Sequence, residues 1–339
     1  MTLFGQSAGA QSIAIHLISE VSEPLFQQGI LISMPFTIPY QTPTSGAVLG
    51  DLTAELLGCL PADVDCLRSK PAEEVLQKGN EAASMILDPD VPLQLFEPWG
   101  PMIDGKIVPA DPLPAFQAGK FWRKPVIMGT TSEEGVLYIY GVWGEQPKFI
   151  EVYAFLLLVL KDREATRAVL KMYDVDFSKD LRDPLSAGCT DYIFGCSTRN
   201  ATRLASFGGA PTYHYIFDHA FSFEDGWGPG ENPCKGRVCH GGDLPFHFHT
   251  ATLGGFHYLP TELRLTNSMV TYFGNFAHTS DPNNSGWTNQ TRRSYEYWPK
   301  YEKTSGWPSL ILQTPRNEVQ HRFREEKCNL WDEIGYEEN

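Results

Sequence analysis

Residues 5–9 read Gly-Gln-Ser-Ala-Gly, a G-x-S-x-G pentapeptide whose central Ser7 is a candidate nucleophile. A strand-like stretch, 2–4, precedes it, and an apolar stretch with helical spacing, 8–19, follows it. In that context a strand turns sharply into a helix and holds a serine hydroxyl exposed at the corner. The Ala8 N–H, at the start of the helix, is then a natural donor to a developing oxyanion. The alternative is a glycine-bounded turn whose serine does no chemistry.

A serine hydroxyl is a poor nucleophile unless a base removes its proton and an acid orients that base. For an elbow of this kind the chain order is serine, acid, histidine. Two adjacent acids, Glu133 and Glu134, follow a buried strand-like stretch at 125–129, where an orienting carboxylate belongs. Further on, His240 stands in a glycine-rich loop that leaves it free to reach Ser7. Each signal alone is unspecific, because a glutamate after a strand is usually solvated and a loop histidine is usually structural.

Short buried strands alternate with helices along the chain, which predicts a mostly parallel sheet with helices on both faces. Strands are predicted at 2–4, 29–33, 125–129, 212–217 and, as the last one, 309–313. Helices are predicted at 8–19, within 48–78, and at 148–160, 163–173, 267–278 and 323–335, with loops at 92–114, 223–243 and 279–308. Nothing marks a domain boundary, so residues 1–339 are predicted to form a single domain.

The 339 residues carry a formal net charge of −14, from 27 basic and 41 acidic side chains. Because no basic run offsets this charge, nucleic acid is excluded as an expected partner. No apolar run is long enough to cross a bilayer, and the longest, 152–160, reads as a buried helix. His247 and His249 alternate along a strand-like stretch, but no carboxylate or cysteine stands at ligand spacing, so no metal site is expected.

The chain has seven cysteines, an odd number that leaves at least one unpaired within the molecule. Short spacing makes two pairs sterically plausible, Cys59 with Cys66 and Cys234 with Cys239. Three N-glycosylation sequons begin at Asn200, Asn283 and Asn289. Together these features favour an extracellular, secreted glycoprotein, although sequons also arise by chance in loops rich in Asn and Thr.

Several longer stretches form recognisable patterns in a fixed order. They are LFGQSAGA at 3–10, the cysteine loop 59–69, PMIDG at 101–105, a G-x-x-x-x-E-G turn at 129–135, HGGDLPF at 240–246, Asp-Pro-Asn at 281–283 with Trp-Pro at 298–299, and C-x-x-W at 328–331. Over nearly the whole chain these patterns resemble the type-B carboxylesterase and cholinesterase family. The resemblance implies an α/β-hydrolase fold and a serine hydrolase of small-molecule carboxylic esters that needs no cofactor.

The resemblance also assigns roles. It makes Ser7 the nucleophile, His240 the general base and Glu134 the acid that orients the imidazole. It pairs Cys196 with Cys328. Hydrolysis would pass through an acyl-enzyme intermediate, as in other serine hydrolases that use a triad.

For three further candidate residues, a purely structural role is the alternative to a role in the site. Ser33 stands where the family has a serine beside the acid, and a buried polar cap is the alternative. Leu95 and Trp99 are candidates for lining the acyl pocket, with ordinary core packing as the alternative. Cys189 is the cysteine left over after three pairs. The pattern gives neither the acyl and alcohol preference nor the oligomeric state.

Two departures from the family pattern bear on activity. Gln6 stands where the family usually has glutamate, which keeps hydrogen bonding but removes a charge near His240. The family's His-Gly-Gly loop, which supplies most oxyanion donors, and its first strands precede the elbow, whereas this chain begins at Met1 without them and without a signal peptide. We therefore expect an N-terminally truncated domain with an unpaired apolar edge that is poorly stable and weakly active alone. A non-catalytic adhesion or interaction protein and a non-functional truncated gene product are the alternatives.

Overall fold

The computed structural model describes residues 1–86, 88–176, 178–228, 233–286 and 295–336 and contains one six-stranded sheet. Its strands lie side by side in chain order, β1 to β6. Neighbours from β1 to β5 are parallel, and β6 runs antiparallel to β5. The strands are β1 (Thr2–Gln6), β2 (Gln28–Ile32), β3 (Val126–Thr131), β4 (Thr212–Phe217), β5 (Pro308–Leu312) and β6 (Glu318–His321).

Helices lie in the connections between successive strands from β1 to β5, and α13 follows β6. The α-helices are α1 (Ala8–Ile18), α2 (Pro43–Leu56), α3 (Val64–Ser69), α4 (Ala72–Met85), α5 (Pro112–Gln117), α6 (Gly135–Val142), α7 (Phe149–Leu160), α8 (Arg163–Met172), α9 (Arg182–Cys189), α10 (Cys196–Phe207), α11 (Leu244–His247), α12 (Pro260–Thr279) and α13 (Glu325–Ile334). A π-helical segment, Thr190–Gly195, joins α9 to α10. Over the described ranges, no helix has both the length and the apolar character that a membrane span requires.

The sheet has a hydrophobic core on each face, because successive strand residues point to opposite sides. In β2, Leu31 belongs to the core that also contains residues of α1, α5 and α10, whereas Ile30 and Ile32 belong to the core beside α12. In β3, Val126 and Met128 face the first core and Ile127 faces the second. This two-sided burial confirms the predicted α/β class with a mostly parallel sheet.

Several element predictions are wrong in ways that have physical causes. The predicted last strand is followed by β6, whose sequence EVQH is mostly exposed at a sheet edge and therefore lacks an apolar pattern. The predicted strand around 246–249 is the short helix α11 followed by irregular backbone. Helix α7 is only partly buried: Val152 and Val159 face inward, while Ile150 is 65% exposed. The helical stretch from α9 to α10 was not predicted, because its Gly, Ser and Thr content conceals the helical pattern.

Because β1 to β5 run parallel, their carboxyl ends lie at one edge of the sheet, where ligands bind in open α/β sheets. Ser7 follows β1, Ser33 follows β2 and Glu134 follows β3. β1 is an edge strand: it pairs with β2, and no other described residue forms a ladder with its free side. The nucleophile candidate thus lies at the margin of the sheet.

Three disulfide bonds are present: Cys59–Cys66, Cys196–Cys328 and Cys234–Cys239. They are the pairs expected from the sequence and its resemblance. Cys196 starts α10 and Cys328 lies in α13, so this bond attaches the C-terminal helix to the sheet's helical layer. Cys189 is the free cysteine among the described residues.

The disulfides should differ in their contribution to stability, because a cross-link that closes a longer loop removes more entropy from the unfolded chain. The Cys196–Cys328 bond spans 132 residues and Cys59–Cys66 spans seven. Replacing Cys196 and Cys328 by alanine should lower the free energy of unfolding by about 3–5 kcal/mol, and replacing Cys59 and Cys66 by about 2 kcal/mol. Urea unfolding followed by circular dichroism measures both; equal losses would contradict the entropic account.

Candidate active site

Ser7 occupies a strained corner between β1 and α1. Its backbone has φ 55° and ψ −120°, a conformation that residues other than glycine seldom adopt. The corner is fixed by two main-chain hydrogen bonds: Ser7 N–H donates to the Ile32 carbonyl at 2.9 Å, and Gln11 N–H donates to the Ser7 carbonyl at 3.0 Å. The Ser7 side chain is therefore held out of the sheet, at the N-terminus of α1.

The two glycines of the pentapeptide have different roles. A Cβ placed on Gly5 would lie 2.4 Å from the carbonyl carbon and oxygen of Gly9, so the strand and helix backbones pass too closely for any side chain at Gly5. A Cβ on Gly9 would meet nothing within 4 Å. Among the described residues, packing therefore requires glycine at position 5 and leaves room for a side chain at position 9.

Glu134 and His240 form the closest polar pair of the site. Glu134 has no exposed surface, and its Oε1 accepts a hydrogen bond from Thr131 N–H at 2.7 Å. Its Oε2 lies 2.5 Å from His240 Nδ1. Glu133 faces elsewhere: its carboxylate accepts from Val238 N–H at 2.8 Å and forms an ion pair with Arg237. The geometry thus distinguishes between the two adjacent acids.

The His240 ring is packed between two aromatic side chains. Its centroid lies 5.3 Å from that of Tyr138 in α6 and 5.1 Å from that of Phe194 in the π-helical segment. Its Nε2 lies 3.0 Å from the Nε2 of Gln6. Because Nδ1 faces a carboxylate and carries the ring proton, Nε2 presents a lone pair, and the Gln6 amide donates to it.

Ser7 and His240 are not joined by a hydrogen bond in the described part of the structure. The Ser7 side chain instead lies close to the Tyr138 hydroxyl. Burial raises the pKa of Tyr138, the Glu134 carboxylate raises it further, and the neighbouring Ser7 hydroxyl opposes both. Catalytic hydrogen bonds are often long or misaligned in apo structures and form when substrate binds, so this arrangement is compatible with a nucleophile and its base.

A second carboxylate, Glu97, stands close to the site and was missed from the sequence. Burial raises the pKa of Glu97, while a hydrogen bond from Gln11 Nε2, at 2.6 Å, and the charge of His240 oppose the rise. Its neighbour Phe96 contacts the Tyr138 ring edge-on, with centroids 5.8 Å apart. In the sequence, the one signal for Glu97 as a site residue was its position just before the PMIDG pattern.

The weaker candidates lie in different surroundings. Ser33 is fully buried with φ 50°, its N–H donates to the Gly129 carbonyl at 2.8 Å, and its Oγ has no partner among the described residues. Trp99 packs on α4, where its Nε1–H donates to the Gly79 carbonyl at 3.0 Å. Leu95 lines a groove of about 230 Å³ whose lining includes no member of the Ser7, Glu134 and His240 set. These contacts therefore bring neither Leu95 nor Trp99 to Ser7, Glu134 or His240.

Two of the three sequons fall in the described ranges. Asn200 lies in α10, where its Nδ2 donates to Asp332 at 3.1 Å. Asn283 donates to Asp281 and to the Trp298 carbonyl. Asn289 lies outside the described residues.

His247, considered above for metal binding, is fully buried, and its Nε2 pairs with Asp243 at 2.9 Å. Among the described residues no group of three His, Cys, Asp or Glu side chains is suited to hold a metal ion.

Comparison with known proteins places this geometry in context. A sequence model of the Carboxylesterase family matches residues 1–331. The cAMP-regulated D2 protein and the crystal protein of Dictyostelium discoideum are 31% and 30% identical to this chain over 99% of its length. The chain spans 60% of the length of each relative. Acetylcholinesterase of Bungarus fasciatus is 30% identical over 98% of this chain and 55% of its own length.

Solved structures show the same fold at low sequence identity. PNB esterase has a TM-score of 0.73 and 23% identity, and thermophilic PNB esterase a TM-score of 0.74 and 21% identity. Each match covers 97% of this chain and 62% of the matched chain. These structures confirm the α/β-hydrolase fold.

Substituting Gly5 tests the steric account of the elbow. Gly5→Ala should lower the free energy of unfolding by about 2 kcal/mol, because main-chain atoms of Gly9 must move to admit the methyl group. Gly9→Ala is the matched control: its Cβ meets open space in a helix, so its stability should stay unchanged or rise by up to about 1 kcal/mol. Urea titrations of the two variants decide the point, and equal losses would contradict it.

Proposed function

Because this chain belongs to the carboxylesterase family, we propose that it hydrolyses carboxylic esters through Ser7, His240 and Glu134. The observation that carries the proposal is the 2.5 Å contact between His240 Nδ1 and the fully buried Glu134 carboxylate. A strained, half-buried Ser7 at the start of α1 supports it. A nucleophile after β1, an acid after β3 and a base from the loop between β4 and α11 are the components of acyl transfer.

In the proposed reaction Ser7 Oγ attacks the ester carbonyl while His240 Nε2 takes the hydroxyl proton. His240 then gives that proton to the departing alcohol, leaving an acyl group on Ser7. Water attacks the acyl-enzyme with His240 again as base, and the acid product leaves. Glu134 keeps the proton on Nδ1 and stabilises the imidazolium. Because Glu134 is buried away from competing water, its attraction to the imidazolium is stronger than it would be in solvent.

We propose that this chain turns over slowly. Ala8 is the first residue of α1, so its N–H has no acceptor within the helix and is free to stabilise an oxyanion. The sequence resemblance assigns the remaining oxyanion donors to a loop that no stretch of this chain matches. Since each missing donor costs on the order of 100- to 1000-fold in rate, slow turnover follows.

The second candidate is a non-catalytic interaction protein on the same scaffold. Two facts favour it: Ser7 and His240 share no hydrogen bond in the described residues, and two relatives at 30% identity or more have names without an enzymatic activity. Covalent reaction of Ser7 with an active-site probe separates the two candidates.

We also propose that the protein is extracellular. Three disulfide bonds in one chain support an oxidising compartment, since cytosolic thiols are kept reduced. The three sequons add to this argument.

A fluorophosphonate probe should label the purified chain, and Ser7→Ala should abolish the labelling. Glu134→Gln should slow it by about 10,000-fold, because an amide N–H facing Nδ1 favours the wrong imidazole tautomer. Glu133→Gln is the matched control and should stay within a few-fold of wild type, since Glu133 contacts Val238 and Arg237 instead of His240. Labelling kinetics and hydrolysis of a p-nitrophenyl ester provide the measurements. Labelling that survives Ser7→Ala would refute the role of Ser7 as nucleophile. Rapid turnover of the ester would refute the proposed slow turnover.

Secretion makes a separate prediction. Produced in eukaryotic cells behind a secretion leader, the chain should lose mass on treatment with peptide N-glycosidase, and a variant with Asn200, Asn283 and Asn289 all changed to Gln should not. Denaturing electrophoresis reads the shift. A wild-type chain that is secreted without any shift would contradict the assignment as a glycoprotein.

A further inference from the structure

We propose that Gln6 is a positioning residue that holds the base in a resting state, by donating its side-chain amide proton to the nitrogen that must receive the Ser7 proton. The inference rests on the proposed function, because it concerns the same triad. It adds a regulated step: the contact between Gln6 and His240 must break before Ser7 is activated.

Both ring nitrogens of His240 are occupied in this structure. Nδ1 faces Glu134 Oε2 at 2.5 Å, and Nε2 faces Gln6 Nε2 at 3.0 Å. The Nε2 of a neutral imidazole offers one lone pair. It cannot accept fully from Gln6 and from Ser7 at the same time, so the Gln6 contact competes directly with activation of the nucleophile.

The surrounding side chains stabilise the resting geometry. The Tyr138 and Phe194 rings pack on the imidazole and restrict its rotation. Gly241, the next residue, has φ 79°, and a Cβ at that position would lie 4.0 Å from Gln6 Nε2, so the base loop runs directly past the Gln6 amide. Meanwhile the Ser7 side chain interacts with Tyr138. Among the described residues, His240 thus hydrogen-bonds with Glu134 and Gln6 and not with Ser7 in this resting arrangement.

The contact belongs to the ground state alone. When the Ser7 Oγ–H bond breaks, the proton moves to His240 Nε2, and the imidazolium then presents an N–H where the amide N–H had donated. Two donors facing each other repel, so the Gln6 contact is lost in the transition state. An interaction made only in the ground state raises the barrier. Glutamate, which the family resemblance favours at this position, has no N–H when ionised and cannot form the contact.

Removing the amide donor should therefore accelerate acylation. Gln6→Met keeps the length of the side chain without the donor, and Gln6→Glu replaces the donor by an acceptor. We expect both variants to react with the fluorophosphonate probe about 2- to 10-fold faster than wild type, the range expected for losing one neutral hydrogen bond. Gln146→Met is the matched control: Gln146 is exposed, its amide donates to the Lys179 carbonyl, and its replacement should leave the rate unchanged.

A second measurement is independent of catalysis. In protein labelled with ¹⁵N in Gln and His, a scalar coupling across the N–H···N bond should join the Gln6 amide to His240 Nε2, and Gln6→Met should remove it. Thermal unfolding by circular dichroism confirms that each variant is folded.

The outcomes are distinct. Folded Gln6→Met and Gln6→Glu variants that label no faster than wild type would overturn the proposal. So would a Gln6 amide signal that shows no coupling to His240 in wild-type protein. If the probe labels neither wild type nor variants, the proposed esterase function fails, and the ¹⁵N coupling alone then decides whether Gln6 holds the ring.

Discussion

Glu134 is a carboxylate without exposed surface, and an unpaired charge in such a place would be strongly destabilising. Its two oxygens are satisfied by Thr131 N–H and by the His240 ring. Because these partners come from the end of β3 and from a loop over 100 residues later, the burial of one side chain requires two distant segments to meet. The rest of the site depends on this pair, since it fixes the plane and tautomer of the imidazole.

Other contacts hold the two segments in place. The Cys234–Cys239 disulfide closes a short loop immediately before His240. On the other side, the Arg324 guanidinium donates to the Ser132 carbonyl at 2.7 Å and pairs with the buried Asp191 carboxylate of the π-helical segment. The turn after β3 that carries Glu134 is thereby attached to the same segment that presents Phe194 to His240. π-Helical segments often occur at functional sites, and this one presents the Phe194 ring to His240.

The sequence predicted the parts of the site that local chemistry specifies. A strand, a glycine-bounded serine and an apolar helix define the elbow in the sequence. The order serine, acid, histidine along the chain then pointed to Glu134 and His240. The surroundings of these three residues could not be predicted. Tyr138, Phe194 and Glu97 reach the site by tertiary packing from elements whose local patterns say only that they are apolar or in a loop. Strand β6 was missed for the opposite reason, because an exposed edge strand carries no hydrophobic alternation.

The proposed nucleophile, Ser7, follows one of the two edge strands of the sheet. β1 has a ladder partner on one side, β2, among the described residues, yet the Ser7 backbone is strained. Strain persists only where the surroundings over-determine it. Here the constraint comes from the Ile32 carbonyl that receives the Ser7 N–H and from the close passage of Gly5 and Gly9. Gln6 lies between these two points, so its side chain is directed at His240 by the same geometry that strains Ser7. In the proposed mechanism the elbow therefore positions both the nucleophile, Ser7, and Gln6, which competes with it for His240.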